Sequence, residues 1–510
     1  MNSPKYGIIA AGHRETAKAG MAMLEAGGNA FDAALAAVFA SFIAEPSLTS
    51  LGGGGFMTAV PAQGQPCLYD FFVQTPLVKR PIEELEFVES QINFGTTVQL
   101  QYIGKGSVAV PGCPAGLFAA HADLGSMPIT EIAEPAIQLA RQGVEITPYQ
   151  AYTISILEPV VLFSKASAEI YGIDGRLVGE GERLRNPKLA DSIAYLCKEG
   201  VREFYEGEMG QAFARDNAHH GGSVSLEDLQ AFSVIKRDPL AYQYRDHLFL
   251  TNPPPSAGGS MISFGLALLS QSENVPPNDM ARIRHLAGTM RGMEEFRSAH
   301  LQAKLAEGFD PSAFLTDAFV AQEKRQIDWL GNTTHISVID TKGNAVSVTT
   351  TLGGASGQTI PGTGIVTNNM LGETDLHPGG PYGWEPNQRV RSMMSPSVVL
   401  RDGKPAMVTG SGGSSRIRSA ILQVLSNLID QGMSVEEAVR HPRLHWENHI
   451  LNLEPGLVES NQSIDLAGTE TIRWADRNMF FGGVHTVRQT ADGRLEGFAD
   501  ARRDGFCLCR

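Results

Sequence analysis

Residues 332–351 read Asn-Thr-Thr-His-Ile-Ser-Val-Ile-Asp, then Thr-Lys-Gly-Asn, then Ala-Val-Ser-Val-Thr-Thr-Thr. Both arms alternate apolar and polar residues with period two, and Gly343-Asn344 marks a turn between them, so the segment predicts a β-hairpin. Pairing about Lys342 sets Thr333 opposite Thr351. Two hydroxyls then face each other at a strand start, which suits a threonine nucleophile held by a second threonine. Such a nucleophile needs a base. Cutting the bond between Asn332 and Thr333 would supply one, because a free α-amine with an ordinary pKa of about 7.7 to 8.0 can take the hydroxyl proton.

The 510 residues are enough for one large or two intimately packed domains, and an apolar fraction of 42% can fill a sizeable core. Lys and Arg number 41 against 55 Asp and Glu, a formal charge of −14 that disfavours non-specific attraction to nucleic acid or anionic lipid. Small molecules are the expected partners. Met1 to Tyr6 lack a basic stretch followed by an apolar core, so no secretory signal is visible and a cytoplasmic location is expected. Ala33 to Ala44 is strongly apolar but too short to span a bilayer, and Asp32 and Glu45 bracket it, so it reads as a buried helix. Cys67, Cys113, Cys197, Cys507 and Cys509 lack metal-ligand spacing and read as free thiols.

Glu15 to Glu25 and Ala30 to Ala44 predict helices separated by Gly27-Gly28. The glycine run from Gly52 to Gly55 is not followed by Lys-Ser or Lys-Thr; it reads as tight packing rather than a phosphate loop. Helical patterns dominate from Pro128 to Gly210. Strands follow near Asp246 to Leu250, a helix starts near Ser260 after a proline-rich turn, and helical segments continue to about Ala321. Gln322 to Gly331 is polar and reads as mobile, as suits a bond that must relax away once cut. Beyond the hairpin, strands are expected at Gly364–Thr367, Ser397–Arg401, Ala406–Val408 and Val484–Val487, with helices at Ser415–Gln431 and Val435–Arg440. Strands and helices fall in separate runs, which favours stacked layers of an α+β protein, an αββα sandwich.

Acyl transfer also needs donors for an oxyanion. Thr409-Gly410-Ser411-Gly412-Gly413-Ser414-Ser415-Arg416 follows a predicted strand and opens a helix, so its backbone N–H groups are available for developing negative charge.

With these segments in hand the chain resembles the γ-glutamyltranspeptidase family, N-terminal nucleophile (Ntn) hydrolases whose precursors cut themselves into large and small subunits. The resemblance covers nearly the whole chain. It runs through Glu25–Ala34, Leu51–Met57, Val110-Pro111-Gly112 with Gly116, Pro253–Gly259, Thr333–Val338, Met394-Ser395-Pro396, Val408–Ser411 and Ala499–Gly505. It implies a four-layer αββα fold built jointly by segments 1–332 and 333–510, cleavage between Asn332 and Thr333, and Thr333 as the nucleophile of both self-cleavage and turnover. Thr351 falls where the family keeps a threonine bonded to that nucleophile, and Gly413 and Ser414 fall on its paired oxyanion-hole glycines. A backbone donor survives the change from Gly to Ser if the turn keeps its dihedrals.

Substrate contacts depart further from the family pattern. Ser392 matches the first of two serines expected on the substrate carboxylate, but Met393 replaces the second. Gly353 stands where an asparagine is usual, Met370 replaces Gln or Glu, and Glu373 replaces the aspartate that grips the substrate ammonium, with Asp375 its rival. Arg80, after a one-residue gap, matches the arginine of the carboxylate clamp. His335 reads as sheet packing rather than a base. The stretch between Glu373 and Ser392 is shorter than in members with a lid loop, which implies an open pocket and hydrolysis over transpeptidation.

The resemblance thus implies a glutathione hydrolase or γ-glutamyltransferase that opens a γ-glutamyl amide through an ester on Thr333, requires no metal or organic cofactor, and leaves further homo-oligomerisation of the subunit pair open. Two rivals stand beside it: a glutaryl- or cephalosporin-type acylase of the same fold, suggested by Met393, Met370 and Gly353, and an unprocessed homologue that only binds.

Overall fold

The computed structural model describes residues 4–93, 98–271, 280–297, 332–373, 376, 377, 380, 382–458, 464 and 468–510. A seven-stranded sheet runs in the order Ile235–Arg237, Cys67–Phe71, Gly54–Val60, Ala345–Thr351, Thr333–Asp340, Gly7–Ala11, Phe506–Cys509, with every neighbouring pair antiparallel. A six-stranded antiparallel sheet runs Leu240–Tyr244, His247–Thr251, Ser397–Arg401, Lys404–Gly412, Gly483–Gln489, Leu495–Ala499. The two stack face to face, helices Arg14–Glu25 and Ala30–Ala44 cover the outer face of the first, and Ala257–Ser270 and Arg416–Ile429 pack outside the second. The layers are αββα.

Ala30–Ala44 is a helix because its start is capped and it is rich in alanine, with Ser41 Oγ donating back to the Val38 carbonyl at 2.7 Å. Asn29 accepts from the amides of Phe31 and Asp32, while Asp32 accepts from the Asn29 amide. All 15 residues are buried. Its alanines let the sheet come close, and Phe31, Leu35, Phe39, Phe42 and Ile43 each contribute about 1.5–3 kcal/mol by leaving water.

The hairpin lies at the centre of the first sheet with the expected register, Thr333 opposite Thr351 and Ile339 opposite Ala345. Period two sorts its side chains: Ile336 and Val338 join the core beneath the helices, whereas Ile339 joins the core between the sheets. Nearer Thr333 the space between the sheets is polar. His335 bonds Thr349 and Ser337, Ser337 Oγ donates to the His485 carbonyl, and Ser347 Oγ donates to the Thr409 carbonyl.

Ala30–Ala44, Ser397–Arg401 and Val435–Arg440 form with the expected bounds, and most other elements differ by a few residues at their ends. The strand expected at Gly364–Thr367 does not form; only isolated bridges link Thr367 to Gly52 and Val366 to Thr359. Two of its carbonyls are taken by side chains instead of a ladder, Asn186 donating to Gly364 and Ser50 to Val366, and those of Ile365 and Thr367 accept from the loop amides of Ile360 and Ser356. The helix expected from Ser260 starts at Ala257. Helix out to Ala321 and the polar stretch Gln322 to Gly331 lie outside the described residues beyond Arg297. Among the described residues no helix is long and apolar enough to cross a membrane.

Candidate active site

Thr333 opens its strand and is 5% exposed. Across the ladder, Thr351 Oγ1 donates to the carbonyl of Asn332, the acyl half of the bond that precedes Thr333. The Gly353 amide donates to the same Thr351 oxygen at 3.0 Å, which leaves the hydroxyl proton pointing at Asn332. The arrangement polarises that one carbonyl beside a second hydroxyl. The glycine run explains the close approach of the supporting strand, because a Cβ on Gly53 would lie 2.2 Å from the Thr351 carbonyl oxygen and one on Gly55 2.5 Å from that of Thr349.

From the second sheet the strand Lys404–Gly412 ends against Thr333: a Cβ on Gly412 would fall 2.3 Å from the Thr333 carbonyl oxygen. Gly413 follows at φ 121° and Ser414 at φ 49°, and helix Arg416–Ile429 begins two residues on. The turn keeps a left-handed conformation although its second residue is serine, and Ser414 lines the same pocket as Thr333 and Thr351. A backbone turn at a helix start facing a hydroxyl can stabilise an oxyanion.

That pocket is also lined by Gly353, Glu373, Ser392 and Met393, together with Phe72, Met370, Leu376, Met394 and Ile417. Glu373 Oε1 accepts from the Gly354 amide at 3.0 Å, and Asn369 Oδ1 accepts from it at 2.7 Å. Gly353 sits at φ 68°, and a Cβ there would lie 2.4 Å from both Glu373 Oε1 and Asn369 Oδ1. The longer carboxylate therefore occupies room that only a glycine at 353 leaves. Ser392 Oγ accepts from the Met394 amide and keeps its own proton to donate.

Arg80 is not brought to the pocket. Its guanidinium donates to the Gly222 carbonyl at 2.7 Å and pairs with Glu84, held there by the short 3₁₀ turn Ile82–Glu84. The described residues lining the pocket include no lysine or arginine. Asp375 lies outside the described residues. His335 does not serve as a base: both ring nitrogens are bonded within the sheet layer, and burial with His485 close by holds it neutral, well below the ordinary histidine range.

Three residues near the site escaped sequence reasoning. Gln101 presses its carboxamide oxygen against Gly354 and accepts from Asn369 at 3.3 Å. Glu45 shares its carboxyl between Thr16 and Thr334, and burial pushes it up to about 7 against those two hydrogen bonds. Arg503 reaches the oxyanion turn, its Nη2 lying 3.2 Å from where a Cβ on Gly413 would be. For Glu45 a signal existed: a carboxyl at the end of an otherwise apolar helix, followed by Pro46.

The family model described as Gamma-glutamyltranspeptidase matches residues 16–508. The Acylase ACY 1 proenzyme of Pseudomonas sp. (strain SE83) is 31% identical over 531 residues, covering 99% of this chain and 93% of that protein. The Glutathione hydrolase proenzyme of Escherichia coli (strain K12) is 29% identical over 542 residues, covering 98% and 90%. Among solved structures, cephalosporin acylase from Bacillus halodurans superposes with a TM-score of 0.84 at 22% identity, over 99% of this chain and 96% of that one. At that identity the likeness speaks to the fold alone.

Proposed function

Because this chain belongs to the γ-glutamyltranspeptidase family and has its Ntn-hydrolase fold, we propose that it is a self-processing threonine hydrolase that opens γ-glutamyl amides, with water as the favoured acceptor. The observation that carries the processing step is the hydrogen bond from Thr351 to the Asn332 carbonyl. Thr333 Oγ attacks that carbon, Thr351 stabilises the oxyanion, and the acyl group shifts from nitrogen to oxygen as the hydroxyl proton passes to the departing nitrogen, which frees the Thr333 amine; water then hydrolyses the ester, releasing the Asn332 carboxylate and the Thr333 hydroxyl. Segments 1–332 and 333–510 then become the large and small subunits of one precursor.

In turnover the amine takes the Thr333 hydroxyl proton as the oxygen attacks the donor carbonyl. The Gly413 and Ser414 amides hold the oxyanion, the ammonium returns its proton to the departing amine, and water cleaves the γ-glutamyl ester. Glu373 offers the counter-charge for the donor ammonium. Among the described residues lining the pocket, Ser392 is placed to meet the donor carboxylate and no arginine is.

Met370, Met393 and Gly353 in the lining support a second reading, an acylase acting on a glutaryl or other acyl group without the glutamyl ammonium. The similarity to the Acylase ACY 1 proenzyme agrees with it. Rates on γ-glutamyl-p-nitroanilide and glutaryl-p-nitroanilide separate the readings, since the two differ in the ammonium that Glu373 would hold. The first reading expects the γ-glutamyl anilide to react faster; a strong glutaryl preference would sink it. Fragment masses for wild type and Thr333→Ala test processing directly. Two pieces divided before Thr333 are expected from the former and one intact chain from the latter; a wild-type chain that stays whole would mark a protein that only binds.

A further inference from the structure

A second buried constellation lies on the reverse face of the Thr333–Asp340 strand. Side chains alternate along a strand, so Thr334 turns from the pocket toward the helix Ala30–Ala44. Its hydroxyl meets Glu45 Oε2, and Glu45 Oε1 accepts from Thr16 Oγ1 at 2.6 Å. Glu45 is the C-cap of that helix and is 3% exposed. The fit is close, because a Cβ on Gly12 would lie 2.2 Å from Glu45 Oε2 and 2.6 Å from Thr334 Oγ1.

A carboxyl is a costly way to make these two hydrogen bonds. The C-terminal end of a helix disfavours an anion, and so does removal from water. An amide would bond both hydroxyls without either cost. Among the described residues no positive group neutralises the charge at close range. Asp504 faces Glu45 from the chain's last turn with a carboxyl that burial also raises, and Tyr149 presents a buried hydroxyl for which the described residues supply no partner. His13, at the start of helix Arg14–Glu25, is held neutral by burial to about 4. The positive groups nearby are Arg503, which acts on Tyr149, and Arg14, which acts on Asp504.

We propose that Glu45 is a positioning residue for the Thr333 amine: through Thr334 it fixes the first residues of the nucleophile strand, and the charge on its carboxyl sets how readily the amine releases its proton. The inference rests on Thr333 acting as an N-terminal nucleophile. An anion one residue away favours the ammonium form and delays the appearance of the free base as pH rises. A neutral Glu45 does not. The carboxyl itself changes state near neutrality, so the two groups titrate as a coupled pair.

The test uses processed wild type and Glu45→Gln, each confirmed by N-terminal sequencing of the fragment beginning Thr-Thr-His, with kcat/KM measured from pH 5 to 9 on whichever p-nitroanilide turns over. The glutamine can still bond both hydroxyls, accepting from one and donating to the other, and removes the charge, so the rising limb is expected to move to lower pH by about one unit. Superimposable limbs would overturn the proposal. Thr334→Val cuts the link and leaves the carboxyl, and its limb is expected to move the same way by less. Should Glu45→Gln fail to fold or cleave, an unmoved limb in Thr334→Val overturns the proposal on its own. Wild-type turnover without any chain beginning at Thr333 would instead remove the nucleophile reading, and this inference with it.

Discussion

At the scale of single residues, Gly353 and Glu373 behave as one unit. Asparagine tolerates a positive φ better than most residues, so Gly353→Asn is not opposed by the backbone. It is opposed by Glu373, whose Oε1 would lie 2.4 Å from the new Cβ. The substitution is expected to raise KM for a γ-glutamyl donor at least tenfold while leaving self-cleavage on gels unchanged. Glu373→Asp in the same background should recover part of the loss by withdrawing the carboxylate; steady-state kinetics of the double variant decide. Ser414 is the contrasting case. Its φ of 49° costs an L-residue roughly 1 kcal/mol that glycine avoids, and its amide survives the exchange. Ser414→Gly should therefore keep turnover within a few-fold. Gly413→Ala should lose it, because φ is 121° and the Gly482 Cα stands 3.1 Å from the new methyl. Equal loss in both variants would argue against a backbone role for the turn.

At the scale of elements, the hairpin carries the strongest claim. Thr351→Val keeps a β-branched side chain in a buried strand and removes the hydroxyl that donates to the Asn332 carbonyl. Loss of one oxyanion donor costs on the order of 10²–10³ in rate, so uncut precursor should accumulate in timed samples after synthesis. Prompt cleavage of that variant would remove Thr351 from the processing step. The hairpin was legible because alternation and a turn signal are local properties. The register followed from counting. Arg80 was misread for the opposite reason: which way a loop arginine points depends on Gly222 and Glu84, and only the first of these lies far off in sequence. Gly364–Thr367 looked like a strand because composition does not reveal side chains capping its carbonyls. Glu45 was read only as a helix boundary, since nothing local says that Thr334 will sit behind it.

At the scale of the whole molecule, the cut proposed before Thr333 falls between segments that share one sheet. Thr333–Asp340 pairs with Gly7–Ala11 from the other segment, and Ala345–Thr351 pairs with Gly54–Val60, so scission leaves these ladders intact. What threatens the assembly is acid. Burial holds His13, His377, His445 and His485 down to about 4 and His335 well below the ordinary range, so all are neutral in the fold. Unfolding lets each bind a proton near 6.5, so the unfolded chain takes up more protons between about 4 and 6.5. The stability they contribute is complete above 6.5 and falls as pH drops, by on the order of 3 kcal/mol for each group shifted to about 4. Glu45 has the opposite sign: raised to about 7, it favours the fold most below its ordinary value and loses that contribution as pH rises through 7. Asp500 resists acid longer. Burial alone would raise it, but Arg443, Arg502 and the backbone amides hold it below the ordinary range, so its contribution is lost only at still lower pH. Several histidines against the raised carboxyls of Glu45 and Asp504 give a net expectation: Tm in calorimetry should be nearly level from pH 7 to 8 and fall steeply from 6.5 toward 4.5. A Tm that stays flat down to pH 4.5 would mean that the polar layer between the sheets accepts protons without unfolding.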